Sequence, residues 1–400
     1  MNDRKCHKRI LNIITLWERA PLFRGHLAYL QSKGFQTALC TPPGPLLGET
    51  TDRDGAEAFP IPMEREPSPF RDLRSLWAVY RLIRRYRPAI VNAGMPKAGL
   101  LGMLAAKLNR VPVRILQQRG LRLETCSGPK RWMLYWAERV SCVCATRILC
   151  NSESLRERVI QLKLAPRKKV KVLGAGSFGG VDVERFSRSD ELLSKADAIR
   201  RDLEIPEDAP VIGFVGRLVR DKGIEELAEA YFRLKEDIPN LRLLLIGPFE
   251  DEGDPVDPAC KSRLLDDLHV LLVGEVTDAA PYYALMDLFA FPSYREGFPN
   301  VVLEASAMEL PTVGFQATGV VDAIHHSKTG LIVSLRNVDE LTKALGRYLR
   351  DEAMRREHGR AARDRVERLF QCEPIWEAYY HEYVSLLRQK GIEPPQVEDE

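Results

Sequence analysis

The sequence predicts an α/β protein of two Rossmann-like doubly wound lobes facing a central cleft. The chain length, a strand and helix alternation, and a restart of that alternation halfway along all point to it. At 400 residues the chain exceeds what one compact core organises, so two lobes with separate centres are expected. Short β-rich runs alternating with helical patterns mark parallel sheets covered by helices on both faces.

In the first half the predicted strands are residues 10–16, 37–40, 90–92, 113–116 and 147–150. Between them, residues 72–86 place Leu73, Leu76, Trp77, Tyr80 and Ile83 at spacings of three and four, one helical face that stops before Pro88. The second half repeats the pattern with strands at 211–215, 241–246, 271–273, 288–290 and 312–314. The polar stretch 187–210, preceded by the glycine-rich run 174–180, is the expected boundary. This gives a first lobe over 1–186, a second over 187–370, a helix over 371–390 returning toward the first lobe, and a disordered polar tail over 391–400.

The net charge of +3 conceals a division. Residues 1–185 carry 33 Lys/Arg against 15 Asp/Glu, a net of +18, and the remainder carries 26 against 41, a net of −15. So basic a first lobe attracts polyanions: a membrane surface, a diphosphate or nucleic acid. No nucleic-acid-binding module accompanies the charge, which argues against the last. The eight cysteines form no Cys-x-x-Cys pair and read as reduced core thiols. The charged start, residues 1–9, leads into a short apolar run without a cleavage site, and no stretch approaches a membrane span; a cytoplasmic protein is expected.

The chemistry concentrates in the second half. Glu296 and Glu304 flank Gly297-Phe-Pro-Asn-Val-Val-Leu303, which reads as a turn opening a helix near Pro299. Ligands of open α/β sheets bind beyond the carboxyl ends of strands, and the strand at 288–291 feeds this turn. Two carboxylates for hydroxyls, beside free amides at a helix start for anions, suit a sugar carried on a diphosphate. Upstream, a strand ending at Gly216 releases Arg217 and Lys222 into a turn. A guanidinium fork and an ammonium there can neutralise a departing diphosphate. Alone, either motif reads as solvated surface; together in one lobe they reinforce each other.

These motifs resemble the nucleotide-binding half of the retaining glycosyltransferase family 4, whose fold is GT-B. Gly216, Arg217, Lys222 and Gly223 match its Gly-Arg-x-x-x-x-Lys-Gly, and residues 293–304 match its Glu-x7-Glu. The resemblance implies that Arg217, Lys222 and Glu296 are catalytic. It implies further that Glu296, Gly297 and Phe298 hold the donor sugar, Glu304 the ribose, and Gly274, Glu275 and Val276 the base. Gly25, after the first strand, would bring an amide to the donor phosphates. Residues 96–102 and 119–124 resemble the bacterial branch that builds capsular, O-antigen and glycan-precursor sugars on lipid carriers, which makes Lys97, Arg119 and Arg122 acceptor or sugar contacts. Arg119 stands where many relatives have His, and meets a carboxylate or phosphate or else makes a structural ion pair.

The implied activity is transfer of a UDP-linked or other nucleoside-diphosphate sugar to a hydroxyl of a lipid-linked or other glycan acceptor, with retention. The donor is a co-substrate, and no metal or other cofactor is expected. The acidic run 250–254 lacks an Asp-x-Asp at a strand end and reads as a solvated loop. Arg74, Arg81, Arg84, Arg85 and Arg87, with Trp132, Tyr135 and Trp136 beside Lys130 and Arg131, point to peripheral contact with an anionic membrane, at the cytoplasmic face of the inner membrane. A nucleotide-sugar epimerase of the same fold and a non-catalytic polyanion-binding protein stay open as alternatives.

Overall fold

The computed structural model describes residues 8–64, 66–251 and 253–395. The chain forms two compact units: one runs to Gly179 and takes back the chain from Cys372, and the other is Gly180–Gln371. The division falls within the glycine run rather than in the charged stretch expected to be the linker. That stretch instead forms a helix, Asp190–Asp202, whose Ser189 cap accepts from the Leu192 N–H and whose Leu192 and Ala196 are buried.

The first unit is built on β1 (Arg9–Ile13), β2 (Gln36–Thr41), β3 (Glu57–Pro60), β4 (Ile90–Gly94), β5 (Val113–Gln118), β6 (Arg147–Cys150) and β7 (Val170–Val172). Their order is β3-β2-β1-β4-β5-β6-β7, and every neighbouring pair is parallel. Strands covered on both faces read as continuous apolar runs, as β1 does with Ile10, Leu11 and Ile13 fully buried. The two edge strands were not predicted: Glu57 and Pro60 bound β3, and Lys171 interrupts β7, so neither has an apolar run. The first strand is also shorter than predicted, because residues 14–16 already leave the sheet.

Helix Cys372–Arg388 belongs to this unit and buries Ile375, Tyr379, Tyr383 and Leu387 along one stripe. Asn92 donates to the Tyr383 hydroxyl at 3.1 Å and Gln117 to that of Tyr379 at 2.8 Å, so the buried phenols stay bonded. Its Glu382 pairs with Arg147 at 2.8 Å and Lys171 at 2.5 Å. After the helix, Ile392 N–H donates to Leu387 O at 3.0 Å. Gly391–Pro395 are thus placed, while the rest of the predicted tail, 396–400, and residues 1–7 at the charged start lie outside the described residues.

The second unit holds β8 (Val211–Val215), β9 (Arg242–Ile246), β10 (Val270–Gly274), β11 (Leu288–Phe291), β12 (Thr312–Phe315) and β13 (Gly330–Val333), in the order β10-β9-β8-β11-β12-β13. All its named pairs are parallel too. Only β13, short and at the edge, was unforeseen. The reversal of strand order beside β8 and β11 leaves their carboxyl ends adjacent, where ligands of such sheets bind.

Candidate active site

The carboxyl ends of β8 and β11 carry the two motifs. Beyond β8, Gly216 N–H donates to Ile246 O at 2.8 Å and Gly247 N–H to Gly274 O at 2.7 Å, tying three strand ends together. Arg217 follows and is half-buried. Its Nη1 donates to Glu250 Oε2 at 2.6 Å. The acidic loop is therefore not simply solvated: Asp254 Oδ2 accepts from Asp221 N–H at 2.9 Å, and Arg220 N–H donates to Asp254 O at 3.0 Å. The cause is local, since the turn 220–222 has unsatisfied amides that an adjacent carboxylate can cap. Glu252 lies outside the described residues.

Lys222 ends that turn, and Gly223 starts helix Ile224–Asp237. Gly223 has φ 71°, and a Cβ there would stand 2.1 Å from Pro292 O, so only glycine lets this turn lie against the end of β11. Lys222 Nζ pairs with Glu296 Oε1, and Ser293 Oγ donates to the same oxygen at 2.9 Å. Glu296 N–H donates to Thr318 O at 2.8 Å. Asp221 adds a second tie between the segments, accepting from Arg295 Nη2 at 2.8 Å and, through its carbonyl, from Tyr294 N–H at 2.9 Å. The two motifs thus form one hydrogen-bonded cluster within this unit.

The segment then turns through buried Gly297, Phe298 and Pro299 into helix Asn300–Ala307. Among the described residues no protein acceptor stands on the N–H groups of Gly297 and Phe298, which leaves two donors beside Glu296. Glu304 is half-buried on the helix, and the Tyr283 hydroxyl donates to its Oε2 at 2.9 Å. Burial pushes the Glu304 carboxyl above its ordinary range while the Tyr283 bond opposes that; burial also pushes Tyr283 well up. One carboxylate oxygen is fixed, and the other can meet a ligand hydroxyl. Gly274, at φ 79°, ends β10, with Glu275 exposed and Val276 half-buried beyond it. Sequence reasoning missed Tyr283 and Glu250: a tyrosine in a short helix and a glutamate in a loop carry no periodic signal.

In the first unit the other candidates separate. Gly25 N–H donates to Asp54 Oδ2 at 2.8 Å, and a Cβ on Gly25 would meet the Trp376 ring at 2.5 Å. Lys97 pairs with Asp72 at 2.7 Å, and Arg122 with Glu66 at 3.1 Å. Arg119, beyond β5, stacks over Phe178 at 3.9 Å and faces Phe23 at 5.4 Å. Among the described residues it has no ion pair, so the structural-pair alternative is not what the fold contains. Burial lowers its pKa to about 10.

The aromatic helices settle differently from the predicted face. Helix Pro69–Tyr86 buries Ser75, Val79, Ile83 and Tyr86, whereas Leu73 and Trp77 face solvent. The helix is apolar on more than one side, so spacing alone did not fix which side packs. Phe70 is 91% exposed, and on helix Gly128–Cys144 Trp132 is 68% exposed with Trp136 one turn on. Both helices pack on Pro96–Leu108, so their aromatics share one side of the sheet, with Arg74, Arg81, Lys130 and Arg131 among them. No helix among the described residues is long and apolar enough to cross a membrane.

Two family models match the chain: a glycosyl transferase 4-like domain over residues 23–176 and glycosyl transferases group 1 over 195–365. The chain is 35% identical to the capsular polysaccharide biosynthesis glycosyltransferase CapM of Staphylococcus aureus, over 96% of this chain and 98% of that one. It is 28% identical to the UDP-Gal:alpha-D-GlcNAc-diphosphoundecaprenol alpha-1,3-galactosyltransferase of Escherichia coli, over 79% and 80%. Its fold is similar to that of Anabaena Alr3699/HepE, crystallised in complex with UDP-glucose, at TM-score 0.77 and 18% identity over 94% of this chain and 99% of that one. With two parallel Rossmann-like sheets, a Gly-Arg-x-x-x-x-Lys-Gly turn joined to a Glu-x7-Glu segment and these relatives, the chain belongs to glycosyltransferase family 4, of GT-B fold, and is a glycosyltransferase.

Proposed function

We propose that the second unit binds a nucleoside-diphosphate sugar, UDP-linked, and that the enzyme transfers the sugar, with retention, to a hydroxyl of a lipid-linked glycan in surface polysaccharide or glycan-precursor synthesis. The observation that carries this is the joining of Lys222 to Glu296, which sets a diphosphate cation beside a sugar-binding carboxylate. Arg217 and Lys222 stabilise charge growing on the leaving diphosphate, and need no metal to do so. Glu296, with the amides of Gly297 and Phe298, orients the sugar. Glu304 accepts from the ribose hydroxyls, and the backbone at Gly274, Glu275 and Val276 meets the base. In this reading the acceptor attacks the front face of the sugar and the leaving phosphate takes the acceptor's proton.

The acceptor side rests on relatives whose names specify diphosphoundecaprenol-linked sugars, and on the basic, aromatic-studded face of the first unit. That face suits peripheral contact with an anionic bilayer at the cytoplasmic side of the inner membrane. The test is transfer from UDP-sugars to lipid-diphosphate-linked acceptors, with the anomeric configuration of the product read by NMR. An α-linked product from an α-linked donor supports the reading. An inverted product overturns retention, and epimerised donor formed without acceptor supports the epimerase instead.

A further inference from the structure

Of the three basic residues placed near the strand ends of the first unit, Lys97 and Arg122 each have a carboxylate partner. Arg119 has none among the described residues. Among the described residues its Nε is buried without a hydrogen-bond partner, and its guanidinium carbon stands 3.9 Å from the centre of the Phe178 ring. A shielded cation with an unanswered N–H is costly unless something completes it. The aromatic shelf recovers part of that cost, but it leaves the planar edge of the fork without an acceptor.

Burial is the main cause that lowers the Arg119 pKa; among its neighbours Tyr379 and Tyr383 oppose that shift and Arg19 adds to it. Arg19, in the turn Trp17–Phe23, lies near enough to depress the Arg119 pKa, a repulsion between cations. Gly94, which ends β4, is adjacent: a Cβ on it would stand 3.5 Å from Arg119 Nε. Helix Pro96–Leu108 starts two residues later, and the Ala98 N–H of its first turn already donates to Thr15 Oγ1 at 3.0 Å. His26 is the nearby imidazole, and burial followed by the Arg119 charge holds it neutral, with its pKa lowered to about 3. At the carboxyl ends of β4 and β5, Arg119 thus has a second cation nearby and, among the described residues, no carboxylate against it.

We propose that Arg119 is the seat of an acceptor anion, the diphosphate that joins the acceptor sugar to its lipid. This rests on the transfer proposed above, whose donor diphosphate already has Arg217 and Lys222 in the second unit. A guanidinium resting on Phe178 offers a fork of N–H donors that can meet two phosphate oxygens, which a lysine or histidine at that position would not do.

The experiment is calorimetric binding of geranyl diphosphate and of inorganic pyrophosphate to the full chain, with saturating UDP present to occupy the donor site. Geraniol serves as the uncharged control. Wild type is expected to bind both anions and not geraniol, and Arg119→Gln to weaken both at least tenfold while UDP affinity, measured separately, changes less than twofold. Undiminished binding of both anions by Arg119→Gln overturns the proposal. Parallel loss of UDP affinity overturns the acceptor assignment, because Arg119 would then serve the donor. Should Arg119→Gln fail to fold, Arg119→Lys, which keeps the charge and removes the fork, is expected to weaken the anions at least threefold, and unchanged affinity there overturns the proposal. UDP binding by wild type keeps a failure here distinct from failure of the donor reading.

Discussion

Lys222 Nζ and Glu296 Oε1, 74 residues apart in sequence, meet in an ion pair at the adjoining ends of β8 and β11. Both side chains are mostly shielded, so the pair is held by the sheet rather than by chance surface contact. Binding of a sugar diphosphate would let Lys222 share its charge with phosphate while Glu296 turns to the sugar. Lys222→Ala and Glu304→Ala are each expected to lower kcat/KM by about 100-fold or more with the melting temperature little changed. Steady-state transfer assays check this.

The Tyr283 hydroxyl fixes one oxygen of Glu304. Removing it in Tyr283→Phe costs one hydrogen bond to a carboxylate, about 1–2 kcal/mol. The expected outcome is a rise in donor KM of roughly 5- to 30-fold by that same cost, with kcat within about twofold. A fall in kcat at constant KM would instead place Tyr283 in the chemistry.

Gly223 joins the turn Arg220–Lys222 to helix Ile224–Asp237. Gly223→Ala must hold φ near 71° and push against Pro292 O, so it is expected to destabilise by at least ~2 kcal/mol. Denaturant unfolding checks this.

How much of this was readable without coordinates differs by residue. Arg217, Lys222, Glu296 and Glu304 were legible because each follows a strong apolar strand, and strand ends can be counted along a chain. Tyr283 and Glu250 were not, because their importance lies in contacts across 21 and 33 residues of sequence that no periodicity records. Strand β13 carries the apolar run Leu331, Ile332 and Val333 and was passed over, whereas the edge strands β3 and β7 escaped for a related reason. Their pairing on one side only relaxes the demand for apolar residues, which is the signal used to find strands. Helix Pro69–Tyr86 was found, and Leu76, Tyr80 and Ile83 of its predicted face do pack on the core, but Leu73 and Trp77 face solvent although they are as apolar as core residues.

Glu138 is buried on helix Gly128–Cys144 and accepts from Gln118 Nε2 at 3.1 Å. Burial raises its pKa from 4.5 to about 7. The folded carboxyl therefore binds its proton more tightly than the unfolded one. Its contribution to stability is complete below about pH 4.5 and is lost as pH rises through about 7. Glu138→Gln is expected to stabilise the protein at pH 8, by on the order of 2 kcal/mol, and to change little at pH 4.5. Melting temperatures across that range check the sign.

The exposed aromatics predict vesicle binding. Wild type is expected to sediment with phosphatidylglycerol vesicles and not with neutral ones, and Trp77→Ser with Trp132→Ser to weaken that binding about tenfold or more. Equal sedimentation of the double variant would remove this face from the account.

The most direct test of the central claim, that the joined Lys222 and Glu296 segments form a sugar-nucleotide site, is thermal stability against UDP-, GDP- and TDP-sugars. A ligand that binds only the folded state must raise the melting temperature. The account predicts a concentration-dependent rise with a UDP-sugar in wild type that is lost in Arg217→Ala/Lys222→Ala. No rise with any nucleotide sugar, or the same rise in that variant, would contradict it.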